Sequence, residues 1–371
     1  WAIYGRAKEM RDAGIDVVML SVGDHDHRTP DLILDAMYQS AQSGRTGYAP
    51  LVGYPALRAA IAERVMARSQ VATDAQNIAV TPGGQFALYT ALTTVVDPGD
   101  AVVMLAPYYA TYPLTLRAVG AEARVVRCHP EAGFQPDLGA IAQAAQGARA
   151  LLINSPNNPT GAVYSRSAME GLARIAQEHD LWLISDEVYD TQIWEGEHVT
   201  PRSLPGMAER TLVIGSLSKS HRMTGSRLGW LIAPQAAANA ASELSLATTF
   251  GVPGFIQDAA LTALRDGADV EADVVATYAR RRDLALAALT GANRVRVSPP
   301  QGAMYVMLDI RATGLSAHQF ATRLLDEHHI AVMPTEGFGP GGEGHLRVAL
   351  TVEDGALADA LGTLRRFADA L

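Results

Sequence analysis

Short apolar runs alternate along the chain with longer stretches in which apolar residues recur every three or four positions. The runs predict β-strands and the stretches predict amphipathic α-helices, for example over residues 167–179. Strands are predicted over residues 77–81, 101–105, 123–128, 150–154, 181–186, 211–215 and 228–233. Because helical stretches separate most of them, we expect an α/β fold with a mostly parallel seven-stranded sheet covered by helices on both faces.

The pattern changes after Leu264, where a long polar helix over residues 270–289 is followed by strands at 303–309 and 345–350 with a helix at 317–328 between them. A chain of 371 residues exceeds the size of a single growing core, so a second, smaller α/β domain is expected. We predict an N-terminal arm over residues 1–30 that joins this small domain, a large domain over 31–269, and the small C-terminal domain over 270–371.

Composition narrows the classes of protein to consider. The net charge of −9 disfavours nucleic acids and anionic membranes as partners. There is neither an apolar stretch of about 18 residues nor a basic start followed by an apolar run, so we expect a soluble, cytoplasmic protein. The single cysteine, Cys128, excludes an intramolecular disulfide.

Lysine is rare in this chain: of the 30 lysines and arginines only two are lysines, Lys8 and Lys219. Lys219 ends the segment Ser216-Leu217-Ser218-Lys219, directly after a predicted apolar strand. A lysine amine can lose its proton in a pocket and attack a carbonyl to form a Schiff base, which an arginine cannot do. An ordinary surface lysine at a strand end is the alternative at this point.

Three further strand ends carry polar residues. Residues 81–88 form a strand, two glycines and a helix start, which suits a phosphate or a plain turn. The loop 154–161 holds the Asn158 amide between prolines, and Asp186 ends an apolar strand, where it would need a partner or act as a cap. Because the carboxyl ends of parallel strands share one edge of a sheet, these groups and Lys219 together describe a pyridoxal phosphate site.

With these motifs in this order, the whole chain from Trp1 to Leu371 resembles the fold-type I, class I/II aminotransferases of the aspartate aminotransferase superfamily. The most specific signatures are the segments 157–161, 185–189 and 216–219, the last followed by Arg227-Leu228-Gly229. The resemblance implies that the large domain binds pyridoxal 5′-phosphate. It also implies an enzyme that moves an α-amino group from an L-amino acid to a 2-oxo acid, pyruvate or 2-oxoglutarate, in a ping-pong cycle.

The resemblance assigns roles around the cofactor ring. Lys219 would hold the cofactor as a Schiff base and move the proton at the substrate Cα. Asp186 would pair with the pyridine nitrogen, so that the ring can accept electrons. Asn158 and Tyr189 would hydrogen-bond the ring oxygen, and Tyr109 would stack on the ring.

The resemblance also assigns the phosphate contacts. They would come from the backbone N–H groups of Gly84 and Gln85, from Ser216 and Ser218, and from Arg227, whose fork suits a bidentate contact.

Three more residues would complete the site. Gly23 would lie beside the substrate, and Arg347 would bind its α-carboxylate and so fix Cα over the ring. Tyr48 resembles a tyrosine that reaches the phosphate from the neighbouring subunit, which predicts a homodimer with shared active sites.

Residues 24–27 and Ser226 depart from the pattern of the family, and residues 337–342 match the motif of another class of enzyme. Residues 24–27, Asp-His-Asp-His, have metal-ligand character, but no further ligand is evident, and relatives usually have a proline and an aromatic or apolar residue there. Residues 337–342 match the dinucleotide pattern G-x-G-x-x-G, yet Pro340 interrupts it and a strand is predicted to follow, so a nicotinamide site is rejected. Ser226 stands where many relatives have a bulky aromatic residue.

Within the family, several stretches look most similar to arginine–pyruvate transaminases: 181–187 with 196–199, 203–208, 216–221, 255–260 and 309–319. We therefore expect a pyruvate-linked aminotransferase with a basic or neutral amino donor. A carbon–sulfur β-lyase or a racemase would use the same Lys219, Asp186 and Arg347 and is the alternative. A cofactor-binding regulator is disfavoured, because we expect no DNA-binding domain ahead of Trp1.

Overall fold

The computed structural model describes every residue from Trp1 to Leu371, and helices flank its sheets. The strands are β1 (Val18–Met19), β2 (Ile78–Thr81), β3 (Ala101–Ala106), β4 (Glu122–Arg127), β5 (Ala150–Asn154), β6 (Trp182–Asp186), β7 (Thr211–Ser216), β8 (Gly229–Ile232), β9 (Arg296–Ser298), β10 (Tyr305–Asp309), β11 (Ile330–Ala331), β12 (Met333–Pro334) and β13 (His345–Ala349). The helices are α1 (Ala2–Asp12), α2 (Asp31–Gln42), α3 (Pro55–Ser69), α4 (Gly84–Val95), α5 (Tyr112–Ala118), α6 (Leu138–Ala144), α7 (Arg166–Glu178), α8 (Leu217–Ser220), α9 (Gln235–Ala247), α10 (Gly254–Asp266), α11 (Ala268–Leu289), α12 (Ala317–His328) and α13 (Asp354–Ala370).

The predicted seven-stranded sheet is confirmed, with the strand order β2-β8-β7-β6-β5-β3-β4. The five strands from β7 to β4 in this order run parallel, and only β8 is antiparallel to its neighbours β7 and β2. The exception has a local cause. The connection from Ser216 to Gly229 folds into α8 and a short 3-10 turn, not into a long crossover helix, so the chain returns antiparallel beside β7.

The central strands are buried along their whole length, which explains why they read as continuous apolar runs. The predicted helix at 167–179 is α7, and it begins where the Ser165 side chain accepts a hydrogen bond from the Ala168 N–H at 3.2 Å. This packing leaves the polar ends of β5, β6 and β7 at one edge of the sheet.

A second, antiparallel sheet has the order β12-β13-β10-β9 and packs with α11, α12 and α13. The N-terminal segment joins this core, because Ile3, Ala7 and Leu20 are buried in it and β1 pairs with β11. The domain boundaries themselves stay a prediction. The strands β1, β9, β11 and β12 have only two or three residues each, too few to give a periodic signal. None of the helices is both long and apolar enough to cross a membrane.

Candidate active site

A cavity of about 970 Å³ opens at the carboxyl ends of the central strands and extends to the small sheet. Clefts at this edge of an α/β sheet are where ligands bind. All predicted site residues except Tyr48 line the cavity: Gly23, Gly84, Gln85, Tyr109, Asn158, Asp186, Tyr189, Ser216, Ser218, Lys219, Arg227 and Arg347. The structure therefore brings together residues that lie more than 300 positions apart in the sequence.

One end of the cavity is suited to an anion. Helix α4 begins there at Gly84, and the first backbone N–H groups of a helix have no partner within it. The preceding Gly83 has φ +85°, and a Cβ at that position would lie 2.2 Å from Nη2 of Arg227. Glycine thus lets the Arg227 guanidinium approach the helix start, where its Nη1 donates only to the Thr224 carbonyl at 2.8 Å.

Two buried serines border the same end. The Ser216 Oγ lies 2.9 Å from both the Ser218 Oγ and the Leu228 carbonyl, and it accepts the Ser218 N–H at 3.0 Å. The Gln85 side chain is hydrogen-bonded to the hydroxyls of Thr111 and Thr115, which leaves its backbone N–H, in the first turn of α4, as the donor available to a ligand. Hydroxyls and N–H groups around one arginine form a donor set for a phosphate.

A buried carboxylate lines the same cavity. Asp186, at the end of β6, accepts a hydrogen bond from the Tyr112 hydroxyl at 2.6 Å, and no positively charged side chain is among the groups that shift its pKa. Burial raises the pKa of Asp186 to about 6, and the bonds from Tyr112 and the Val188 N–H only partly oppose this. A positively charged group of a ligand would stabilise the ionised form.

Lys219 lies on α8, half-buried, and its Nζ donates to the Gly23 carbonyl. Its amine has no carboxylate partner, so it is free to meet an electrophile. Gly23 itself leaves no space for a side chain, because a Cβ there would lie 1.9 Å from the Tyr305 hydroxyl.

Arg347 is placed by β13 on the small-sheet side of the cavity and is only 5 % exposed. Its Nη1 donates to Asn158 Oδ1 at 3.0 Å and its Nη2 to the Ser21 carbonyl at 2.6 Å, while Nε has no partner. The guanidinium lies 4.5 Å from the ring centre of Tyr305 and 5.1 Å from that of Phe338. A buried arginine without a carboxylate partner is suited to bind an anion.

Sequence reasoning missed Tyr305, which lines the cavity, and Tyr112, a buried residue whose hydroxyl is hydrogen-bonded to Asp186. The hydroxyls of Tyr189 and Tyr305 lie 2.9 Å apart, and the ring of Tyr109 packs edge-on against Tyr112. The available signals were weak: Tyr112 follows Tyr109 by three positions, and Tyr305 lies inside the strand predicted over residues 303–309. Neither position alone distinguishes a site residue from a core aromatic.

Tyr48 does not reach the cavity of its own chain. It is 88 % exposed, and its ring lies 5.0 Å from that of Phe250. The assignment of Tyr48 to a neighbouring subunit stays a prediction.

The side chains of residues 24–27 bond to other protein groups, mainly on α11, and no group of three possible metal ligands is formed. Asp26 forms an ion pair with Arg281 at 2.6 Å, and His25 Nδ1 lies 2.9 Å from the Tyr278 hydroxyl. Burial, together with the charges of Lys219 and Arg222, lowers the pKa of His25 to about 4. The segment therefore ties the loop beside Gly23 to α11.

The family described as aminotransferase class I and II matches residues 15–364. The chain belongs to this family. The family and the relatives named below confirm the predicted aminotransferase activity and do not support the β-lyase or racemase alternative. Enzymes of this family in general depend on pyridoxal phosphate.

Named relatives agree with the family. The aminotransferase is 44 % identical to the arginine–pyruvate transaminase of Pseudomonas aeruginosa over 361 residues, which are 97 % of this chain and 92 % of that protein. It is 37 % identical to the aspartate/prephenate aminotransferase of Thermus thermophilus over 98 % of this chain and 94 % of that one. A solved structure of the Thermus thermophilus aspartate aminotransferase with maleate superposes with a TM-score of 0.93 at 36 % identity, covering 100 % of this chain and 96 % of that chain.

Proposed function

We propose that the cavity binds pyridoxal 5′-phosphate and that the aminotransferase takes its amino group from a basic or neutral L-amino acid and passes it to pyruvate. The observation that carries the proposal is the order of charges along the cavity. Cationic and N–H donors surround Arg227 at the start of α4, the Asp186 carboxylate lines the cavity from the end of β6, and Lys219 and Arg347 both bond to the loop 21–23. This order corresponds to the phosphate, the ring nitrogen and the reacting carbon of the cofactor with its substrate.

The residues at the phosphate end fit the group. The start of α4 at Gly84, the N–H of Gln85, the hydroxyls of Ser216 and Ser218 and the Arg227 guanidinium would together hold the phosphate. The close approach permitted by a glycine before the helix supports this fit, since any side chain there would occupy the position of the arginine.

The residues along the ring fit as well. The Asp186 carboxylate would keep a ring nitrogen protonated, and Tyr109 would lie against the ring face. Burial raises the pKa of Tyr189, so its hydroxyl stays protonated and can donate to a ring oxygen, as the Asn158 amide can. When bound, pyridoxal phosphate supplies the electron sink for breaking a bond at the substrate Cα.

The residues on the substrate side would orient and deprotonate the donor. Arg347 would bind the α-carboxylate through its fork, and this contact fixes Cα relative to Lys219. The Lys219 amine would then move the proton from the substrate Cα to the cofactor carbon that keeps the transferred nitrogen. Its hydrogen bond to the Gly23 carbonyl would hold the amine at this position before the substrate enters.

The proposed donor and acceptor rest on likeness to a relative. The arginine–pyruvate transaminase of Pseudomonas aeruginosa shares 44 % identity with this chain, and its name states both substrates. The relatives from Thermus thermophilus are named for aspartate and prephenate, so an acidic donor is the competing choice.

The half-reaction tests this proposal directly. The protein loaded with pyridoxal phosphate is mixed with single amino acids without a keto acid, and the absorption spectrum is followed. We expect arginine to remove the yellow band and pyruvate to restore it, with arginine more effective than aspartate. A band that returns without added keto acid while ammonia and pyruvate accumulate would contradict transamination, and a preference for aspartate would contradict the proposed donor.

We further propose that two copies of the chain assemble and that Tyr48 serves the site of the partner. The exposed pair of Tyr48 and Phe250 supports an interface there, because large aromatic side chains are enriched in interfaces. The predicted cytoplasmic location stays a prediction.

Hybrid dimers test the shared site. Tyr48→Ala and Lys219→Ala variants, each with low activity, are mixed under conditions that exchange subunits. If Tyr48 acts across the interface, one site of each hybrid is intact, and an equal mixture should recover about a quarter of the wild-type activity. Recovery should be absent in a mixture of Asp186→Asn with Lys219→Ala, whose changes fall in the same site. No recovery in the Tyr48 mixture, despite subunit exchange shown by mass spectrometry, would place Tyr48 elsewhere.

A further inference from the structure

The acidic and basic side chains of the cavity are left without ion pairs. Six such residues, apart from a histidine, line it: Lys219, Arg227, Arg347, Asp24, Asp186 and Glu336. None of the six takes part in a salt bridge, although ion pairs are common elsewhere in the chain. Charges held apart in a cleft are available to a ligand of matching charge.

The proposed function uses four of these charges. Arg227 would bind the phosphate, Asp186 would pair with the ring nitrogen, and Arg347 would bind the α-carboxylate. Lys219 would transfer the proton. Two carboxylates, Asp24 and Glu336, remain without an assigned partner.

Asp24 is committed to the fold of its own loop. Its Oδ1 accepts the Thr224 hydroxyl at 2.7 Å and the His25 N–H at 3.0 Å. These bonds connect the loop beside Gly23 with the turn that precedes Arg227. A carboxylate in this position organises the site and has less freedom to follow a substrate.

Glu336 is free by comparison. Its only hydrogen bond is a long one, 3.3 Å, from the His318 N–H to Oε1, and its side chain is exposed at the cavity edge. It begins a 3-10 turn that ends at Phe338, whose ring packs on the Arg347 guanidinium. The carboxylate is therefore carried by the same short segment that contacts the proposed α-carboxylate site.

This segment is held firmly at its base. The buried Thr335 hydroxyl lies 2.5 Å from the Gly342 carbonyl oxygen and 2.6 Å from that of His345. The Phe338 carbonyl accepts the N–H of Tyr108, next to the predicted ring-stacking residue. A carboxylate that is free to bind, on a segment whose backbone is fixed, is suited to distinguish substrates by the charge of their side chains.

We infer that Glu336 selects amino donors whose side chain ends in a cation, by pairing with that ammonium or guanidinium group while Arg347 holds the α-carboxylate. The inference rests on the proposed function and names the residue that reads the donor side chain. The unpartnered Nε of the buried Arg347 supports a ligand carboxylate in the same cavity.

Arginine and citrulline provide the test, because they have the same shape and differ in the charge at the end of the side chain. The ratio of their kcat/KM values in the half-reaction is measured for the wild type and for Glu336→Gln. We expect the substitution to lower this ratio about tenfold, since it removes one charge pair at a partly exposed position. Glu178→Gln removes an exposed carboxylate outside the cavity that has no bonded partner and should leave the ratio unchanged.

Binding gives a second measurement that does not depend on turnover. The probe is 5-guanidinopentanoate, which carries a carboxylate and a guanidinium but no amino group, and hexanoate is the counterpart that keeps the carboxylate and lacks the cationic end group. Calorimetry should show that Glu336→Gln weakens the first about tenfold and the second far less. Glu336→Arg should reverse the preference, favouring aspartate over arginine.

The outcomes separate the inference from the proposed function. If the wild type transaminates arginine but Glu336→Gln reduces arginine and citrulline equally, Glu336 does not read charge and the inference is overturned. If neutral donors react and basic donors do not, both the inference and the proposed donor fail while transamination stands. If no amino acid changes the spectrum, the proposed function fails first.

Discussion

Replacing Lys219 with alanine is expected to reduce the rate of the donor half-reaction by at least about 10⁴-fold, because the substitution removes both the anchoring amine and the proposed proton carrier. Lys219→Arg should be nearly as inactive, since arginine keeps the charge but cannot give up its proton. The measurement is a single-turnover rate from the absorption spectrum after mixing with arginine.

The chain offers a matched control, because its only other lysine, Lys8, is exposed on α1 and pairs with Asp12. Lys8→Ala should retain the wild-type rate. A small primary amine added to Lys219→Ala should restore part of the rate, whereas a merely structural defect would not respond to it. Borohydride treatment of the loaded wild type should attach the cofactor to the peptide that contains Lys219. Attachment at Lys8, or unchanged turnover by Lys219→Ala, would remove Lys219 from the mechanism.

Much of this site could be predicted because its chemistry lies at strand ends. The order of the motifs along the chain, together with parallel strands, brings Asn158, Asp186 and Lys219 to one edge of the sheet without further information. Lys219 also had a compositional signal, since lysine is so rare in this chain. To predict that such residues meet at one edge of the sheet, only the direction of each strand must be known, and the helical connections between the strands indicate that direction.

The missed contacts depend on how distant segments pack. Tyr112 bonds Asp186 across 74 positions and Tyr189 contacts Tyr305 across 116 positions, and no local pattern encodes these distances. The sequence suggests a metal ligand at Asp26, yet the structure pairs this carboxylate with Arg281, which is 1 % exposed. A buried arginine on a long helix cannot be assigned a partner from sequence alone, because its partner depends on the packing of α11 against the loop.

Replacing Asp186 with asparagine is expected to reduce the half-reaction by about 10²–10³-fold, because a neutral amide cannot hold a proton on the ring nitrogen of the proposed cofactor. The substitution should also change the stability of the cofactor-free protein. Burial raises the pKa of Asp186 in the folded chain to about 6, above its ordinary value of 3.8. A raised pKa means that the folded state prefers the protonated acid, so its contribution to stability is full below about pH 4 and is lost as the pH rises through 6.

The cofactor-free protein therefore carries a cost of about 3 kcal/mol at neutral pH, which a cationic partner for Asp186 would relieve. The free energy of unfolding of Asp186→Asn, relative to wild type, should rise between pH 4 and pH 7 in denaturant titrations. Burial lowers the pKa values of His25 and His221, so these residues reduce the stability of the protein as the pH falls. Their contribution is the same in the wild type and in Asp186→Asn, and it cancels when the two free energies of unfolding are subtracted.

Tyr112→Phe serves as the matched control for this titration, because the Tyr112 hydroxyl lowers the pKa of Asp186 and its removal should move the loss of stability to higher pH. Cofactor binding should be weaker in both variants. Only in Asp186→Asn should the free energy of unfolding no longer depend on the charge of residue 186. An asparagine variant whose stability follows the wild type from pH 4 to pH 7 would show that Asp186 ionises without cost. The negative charge of Asp186 would then be compensated by other groups of the chain, and Asp186 would not need a cationic group of the ligand as its partner.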